Sequence, residues 1–208
     1  MAEQKSQQKS TILKDAIALF VITLVAGVLL GLVNQITKEP IAAAELKAKN
    51  EAYQKVFADG NAFETDEELN KKLSEATFDG ADISEVLVTK DKDNNTIGYV
   101  MSLIAKEGYG GEISFAIGVK TDGTMTGLSV LSHSETAGLG ANCTTESFQS
   151  QFKGVTGPEI AYSKTGASAD NEIDAISGAT ITTKALTKAI NAGMGFLNDN
   201  GYLESDGE

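Results

Sequence analysis

The sequence predicts an α+β architecture: a single N-terminal transmembrane helix, then a mainly antiparallel-sheet domain with packed helices. Three observations predict it. Residues 16–37, AIALFVITLVAGVLLGLVNQIT, carry no charge and are largely apolar. Between residues 86 and 131, short apolar runs alternate with polar turns, the pattern of a strand meander. From Thr182 to Asn198 the apolar residues recur at helical spacing. The expected divisions are an N-terminal segment 1–15, an anchor 16–37, a helical connector 38–80, a sheet domain 81–200 and a polar tail 201–208.

The anchor follows from length. About 22 residues rising 1.5 Å each span about 33 Å, against a hydrocarbon core of about 30 Å. The run is apolar around its whole circumference, as a lipid-facing helix requires. A cleaved signal peptide is the rival, with Ala42-Ala43-Ala44 as the cleavage site. The run is longer than a signal core of about 7–15 residues, which favours an uncleaved anchor. Lysines stand on both sides of the span (Lys5, Lys9 and Lys14; Lys38, Lys47 and Lys49), so charge does not orient it. Gly27 and Gly31 form a G-x-x-x-G that suits close packing against another membrane helix.

In the connector, Pro40 is expected to start a new helix reaching Phe57. Asp59-Gly60-Asn61 breaks it. Thr65-Asp66-Glu67-Glu68 reads as a capped start for a short helix through Leu69 and Leu73. Strands are expected around Val86–Val88, Ile97–Ala105, Ile113–Val119 and Met125–Leu131. The turns fall at Asp91–Asn95 and at Thr121-Asp122-Gly123-Thr124. Gly108-Tyr109-Gly110-Gly111 separates two of these strands. A helix is expected over Thr145–Phe152. The last helix, Thr182–Asn198, places Ala185, Leu186, Ala189, Ile190, Met194 and Leu197 on one apolar face for packing on the sheet. Gly201 ends it.

Composition narrows the chemistry. The chain has 208 residues, a net charge of −12 and no arginine. Such a chain is a poor nucleic-acid binder, because phosphate contacts need clustered positive charge. Cys143 is the lone cysteine and His133 the lone histidine. There is no internal disulfide and no complete cysteine-ligated metal site. Cys143 is expected as a small buried or half-buried side chain, with a metal ligand bridging two chains as the alternative. His133 is expected as a structural hydrogen-bonding residue.

Two segments carry chemistry. Asp174-Ala175-Ile176-Ser177-Gly178-Ala179-Thr180 reads D-x-x-S-G-A-T and runs into the last helix. Gly178 and Ala179 leave room for a phosphate to approach the backbone. The start of the following helix offers free N–H groups and a positive dipole end. Without arginine, backbone donors and threonine hydroxyls must hold such a group, with Lys184 in reach. The alternative is a small-residue loop in which Thr182 or Thr183 caps a helix. The second segment is His133-Ser134-Glu135-Thr136-Ala137-Gly138-Leu139-Gly140, whose glycines flank Leu139 beside an acceptor and a donor. Its alternative is a turn between strand and helix.

The first segment resembles the flavinylation motif of the FMN-binding domain in the G subunit of Rnf electron-transport complexes and the C subunit of sodium-pumping NADH:quinone reductases. The second resembles the H-x-E-T-x-G-L-G signature of the same family, with Ala137 where proline is usual. With the strands between them, the resemblance covers about 84–197, and more loosely the anchor. The resemblance implies an FMN joined through its phosphate to Thr180. It implies a phosphate end shaped by Ser177, Gly178, Ala179 and Thr182 or Thr183. Candidates for the ring end are Glu135, Thr136, Gly138, Leu139 and Gly140; the glycine-rich 108–111 segment is a further flavin contact to test. It also implies a cytoplasmic N-terminus, a flavin domain outside, maturation by a flavin transferase and the other Rnf subunits as partners. The chain is then an electron-relay subunit of an ion-translocating ferredoxin:NAD oxidoreductase, with no catalytic acid–base pair of its own. The alternatives are the C subunit of the quinone reductase, a free-standing membrane-anchored extracellular flavoprotein, or a non-redox surface-binding module.

Overall fold

The computed structural model describes residues 2–204, with side chains from Leu13 onward; the tail residues 205–208 lie outside the described part. It divides into one unit ending at Lys47 and one starting at Ala48. The first helix, α1, runs Ala2–Val56 and contains Pro40. It contains a stretch apolar and long enough to cross a membrane, and its apolar side chains from Leu13 to Ile36 are exposed. One expectation is corrected here: Pro40 does not begin a helix but sits inside one. Its missing N–H is forfeited from the helical ladder.

In the second unit five strands form an antiparallel meander in the order β1-β2-β3-β4-β5. They are β1 Ala62–Thr65, β2 Ala81–Lys90, β3 Thr96–Gly108, β4 Gly111–Lys120 and β5 Met125–Ser132. The expected antiparallel sheet is present, and each expected strand lies within an observed one. The helical reading of 38–80 is corrected at Ala62–Thr65, which pairs with Leu87–Lys90 as an edge strand. Four residues without clear alternation are too short a run to show a period. The helix α2, Glu67–Glu75, starts where the capping pattern placed it: the Asp66 carboxylate accepts the Leu69 N–H at 2.9 Å. At the β2–β3 turn Asp91 accepts from the amides of Asp93 and Asn95, which holds its carboxyl below the usual range.

The pleat sends alternate residues to two cores. Met101, Leu103, Phe115, Ile117 and Val119 face one side, with Leu186, Ile190 and Leu197 of α4, Thr180–Asp199. A Cβ added to Gly193 would lie 3.2 Å from the Met101 methyl, so α4 rests close on β3. Val100, Ala116 and Leu87 face the other side, against Ala52, Tyr53 and Val56 from the end of α1 and the adjoining Phe57. There the Tyr53 hydroxyl donates to Glu85, which also pairs with Lys49 at 2.8 Å. Burial first, then the Glu85 hydrogen bond, raises the Tyr53 phenol well above its ordinary range.

Between β5 and α4 the chain is more broken than expected. The single helix over Thr145–Phe152 is replaced by a 3-10 turn Gly140–Thr144, a one-turn α3 Glu146–Gln149 and a 3-10 turn Ser150–Phe152. Phe148 and Phe152 meet edge to face at 5.4 Å and pin this stretch to the core. Two further short strands, β6 Ala161–Ser163 and β7 Glu172–Asp174, pair in parallel. They deliver the chain into the D-x-x-S-G-A-T loop.

Candidate functional site

The last helix begins earlier than its periodicity suggested. The expected start at Thr182 is corrected to Thr180, the first residue of α4, with Ala179 at the cap position. Ala179 has no side chain able to cap, and no side-chain cap bond closes this end. The first N–H groups of such a helix have no partner within it. They and the positive dipole end face the space beside the Thr180 side chain. The Thr180 hydroxyl has no protein partner among the described residues, and the residue is half-buried.

The neighbouring threonines are committed elsewhere. The Thr183 hydroxyl is fully buried, accepts the Ile176 N–H at 3.0 Å and donates to the Ala179 carbonyl at 3.1 Å. It therefore sews both ends of the 176–179 turn to the helix. The Ala179 N–H closes the turn on the Ile176 carbonyl at 2.9 Å. Gly178 takes φ +72 within it, which suits glycine, and an added Cβ would stand 3.1 Å from Leu139. Upstream, the Asp174 N–H donates to Gln151 at 2.7 Å, and its carboxylate accepts from the Ala167 N–H. The motif loop is held at both ends while Ser177 and Gly178 stay exposed.

The Thr182 hydroxyl donates to Glu135 Oε2 at 2.6 Å. The other oxygen, Oε1, accepts the Gly110 N–H at 2.9 Å. Glu135 is 8 % exposed, so a carboxylate is nearly buried on these two hydrogen bonds. Hydrogen bonds to an ionised group are the stronger kind. His133, expected as a structural residue, accepts the Glu135 N–H on Nδ1 at 3.1 Å. The Thr136 carbonyl accepts the N–H groups of Leu139 and Ala141, which rounds off the turn. Cys143 is buried, as expected; burial, then the nearby Glu135 charge, pushes its thiol up to about 11. No group of three or more possible metal-ligating side chains occurs among the described residues.

These pieces enclose a cleft of about 480 Å³ lined by Tyr109, Glu135, Thr136, Leu139, Gly140 and Gly178–Thr182. Its size falls in the range of about 300–1,000 Å³ usual for small-ligand sites. Tyr109, at the β3–β4 tip, is 70 % exposed, Leu139 44 % and Ile181 53 %. Three large apolar side chains thus stand in solvent around the Thr180 hydroxyl. Of the residues singled out in sequence, Glu135, Thr136, Leu139, Gly140, Gly178, Ala179, Thr180 and Thr182 meet here. Ser177, Gly138 and Thr183 are not on the wall. Tyr109 and Ile181 were missed as individuals. Ile181 had a signal: it lies five residues before Leu186, about 140° around the helix and off its apolar face.

A planar aromatic group bearing a phosphate fits this arrangement. The uncapped helix start would meet the anion, and the exposed apolar side chains would meet the ring. Glu135 is the cleft's one formally charged side chain, and Lys184 lies exposed one turn along α4.

Comparison with known proteins agrees. Residues 108–195 match the family described as FMN-binding domain, and residues 1–56 match the RnfG N-terminal region. The G subunit of the proton-translocating ferredoxin:NAD(+) oxidoreductase complex of Clostridium ljungdahlii is 32% identical over 184 residues, covering 85% of this chain and 90% of its own length. The Na(+)-translocating counterpart of Acetobacterium woodii is 31% identical over 185 residues, covering 86% and 88%. Among solved structures, the C subunit of the Na(+)-translocating NADH-quinone reductase of Parabacteroides distasonis shows a TM-score of 0.47 at 29% identity. That match covers 59% of this chain and 63% of that one.

Proposed function

The chain belongs to the G-subunit family of ion-translocating ferredoxin:NAD(+) oxidoreductase complexes, and from that premise we propose that it carries an FMN esterified to Thr180. It is an FMN-binding, electron-transferring subunit of a membrane oxidoreductase that moves ions, anchored by the apolar part of α1. Its partners are the other subunits of that complex. A flavin transferase matures it.

The observation that carries the ester is the Thr180 hydroxyl. It is the unpartnered hydroxyl at an uncapped helix start, on the wall of a cleft with three solvent-exposed apolar side chains. Thr182 and Thr183 also have hydroxyls, but each is buried and bonded to the protein. On this reading the Thr180 hydroxyl would supply the ester oxygen to the FMN phosphorus, displacing a nucleoside monophosphate from a flavin dinucleotide while its proton passes to a base of the transferase. Bound FMN supplies the redox chemistry, accepting and giving electrons one or two at a time.

The chain's own residues position and insulate. The N–H groups of residues 180–182 and the α4 dipole would hold the diester's negative charge. Tyr109, Leu139 and Ile181 offer apolar surface to a ring, and Gly178, with no side chain, would let the phosphate approach the backbone. Thr183 holds the loop so that Thr180 stays at the wall. No residue is asked to act as acid or base, consistent with a relay.

Intact-mass measurement and peptide mapping test the ester. The expected result is one FMN phosphoryl adduct on the peptide containing Thr180, and fluorescence of the band in a denaturing gel. An adduct on another residue, or none in protein made with its transferase, refutes it. The family resemblance supports a flavin domain on the extracytoplasmic side, with the N-terminus inside.

A further inference from the structure

We propose that Glu135 is the positioning residue of this site, acting through Thr182 and Gly110 rather than by holding the flavin itself. The inference rests on the Thr180 reading above, but its first readout needs no flavin.

Three segments distant in sequence build the cleft: the β3–β4 tip with Tyr109, the turn with Leu139, and the start of α4 with Thr180. One side chain joins all three. Glu135 belongs to the turn, takes the tip's Gly110 N–H on Oε1 and takes the α4 Thr182 hydroxyl on Oε2. Each segment therefore holds one of the cleft's flanking residues and one end of the tie.

The space around the carboxylate is kept by glycine. An added Cβ at Gly140 would stand 2.1 Å from Glu135 Oε2 and 2.6 Å from the Thr182 hydroxyl. At Gly110 it would stand 2.1 Å from the Ser134 carbonyl, against the backbone that carries Glu135. The glycines of both segments are thus required by the tie. No cation pairs with Glu135 among the described residues, so its buried charge depends on the two donors. Losing either donor leaves a desolvated anion short of a partner, a costly state.

Glu135→Gln, Glu135→Ala and Thr182→Val, each in the full-length chain, separate the possibilities. Gln keeps the shape: its amide oxygen accepts from Gly110, and its NH₂ donates to a turned Thr182 hydroxyl. Ala removes both ties; Thr182→Val removes one. The first readout is amide exchange of the peptide spanning residues 108–111, without flavin. Glu135→Ala is expected to speed exchange at Gly110 by about tenfold or more, and Gln by far less. The second readout is the circular dichroism of the bound flavin, which reports its orientation. Glu135→Ala and Thr182→Val are expected to alter it, and Glu135→Gln to restore it. Should Glu135→Ala fail to fold, Thr182→Val carries the test, since it conserves volume.

Unchanged exchange and unchanged dichroism in Glu135→Ala overturn the proposal. So does a Gln variant as disturbed as Ala, which would make charge and not the tie the active property. Absence of flavin from the parent chain refutes the Thr180 reading alone, because the exchange result stands without it.

Discussion

Three threonines within four residues meet three different environments, so one substitution made at each gives three different outcomes. Thr→Val keeps volume and branching and removes only the hydroxyl. At Thr183 it strips the acceptor from the buried Ile176 N–H. The Ala179 carbonyl keeps the Thr183 N–H at 3.1 Å, so one buried donor is left orphaned and no acceptor is. An orphaned donor costs about 1–3 kcal/mol, and each kcal/mol lowers Tm by roughly 2–4 °C at this size. A fall of about 2–12 °C follows for Thr183→Val. Thr182→Val removes a donor from an ionised acceptor and costs about 1.5–3 kcal/mol. Thr180→Val removes no protein hydrogen bond and should hold stability within about 0.5 kcal/mol. Flavin content runs the other way. It is lost entirely in Thr180→Val, falls in Thr183→Val as the 176–179 turn loosens, and persists in Thr182→Val. Thr183→Ser should restore stability, and Thr180→Ser should retain part of the flavin. The assay pairs thermal unfolding of the purified chain without flavin with flavin fluorescence after coexpression with the transferase. A Thr183→Val chain as stable as its parent refutes the stitching role. A fully flavinylated Thr180→Val chain refutes the attachment site.

Cys143 should resist alkylation near neutral pH and react once the chain unfolds. Its folded pKa, about 11, lies above the ordinary 9.0, so its contribution to stability is complete below about pH 9 and lost as pH rises towards 11; rapid alkylation of native protein would contradict the buried position. Gly140→Ala should destabilise by about 2.5–6 kcal/mol, combining overpacking with a broken charged hydrogen bond, and a chain that melts with the parent would show the turn to be pliable. An impermeant amine label on intact cells should modify Lys164 and spare the lysines before residue 15; the reverse pattern would invert the proposed topology.

The sheet was legible because its strands alternate and its turns carry Asp, Asn and Gly at the expected places. The anchor was legible from length and apolarity alone. What escaped were elements too short to show a period: β1, β6, β7 and the broken helix at 140–152. The start of α4 was misplaced for a physical reason. Helical spacing becomes visible only where a face is buried, and Thr180 and Ile181 lie before the first fully buried residue, Thr182. That two-residue difference changes the chemistry, because it moves Thr180 from a loop before the helix to the position where free N–H groups gather.

Eight of the residues singled out in sequence line one cleft in the fold, but what each of them bonds to was not legible. Glu135, Thr182 and Thr183 looked like groups for a ligand and are bonded to one another and to backbone. Hydrogen bonding between residues 25 to 47 apart in the chain leaves no periodic trace. Tyr109 illustrates the converse. In sequence it was one aromatic in a glycine-rich hairpin tip; in the fold it is the most exposed of the three apolar side chains around Thr180. An exposed tyrosine at a hairpin tip has little stabilising role in the chain alone, since most of its surface stays in solvent. Tyr109→Ala should therefore leave the melting temperature of the flavin-free chain unchanged. With flavin attached at Thr180, the same change should raise the flavin's fluorescence, because a tyrosine stacked on an aromatic ring quenches it. Equal fluorescence in the two flavinylated proteins would take Tyr109 off the ring and leave Leu139 and Ile181 as its apolar walls.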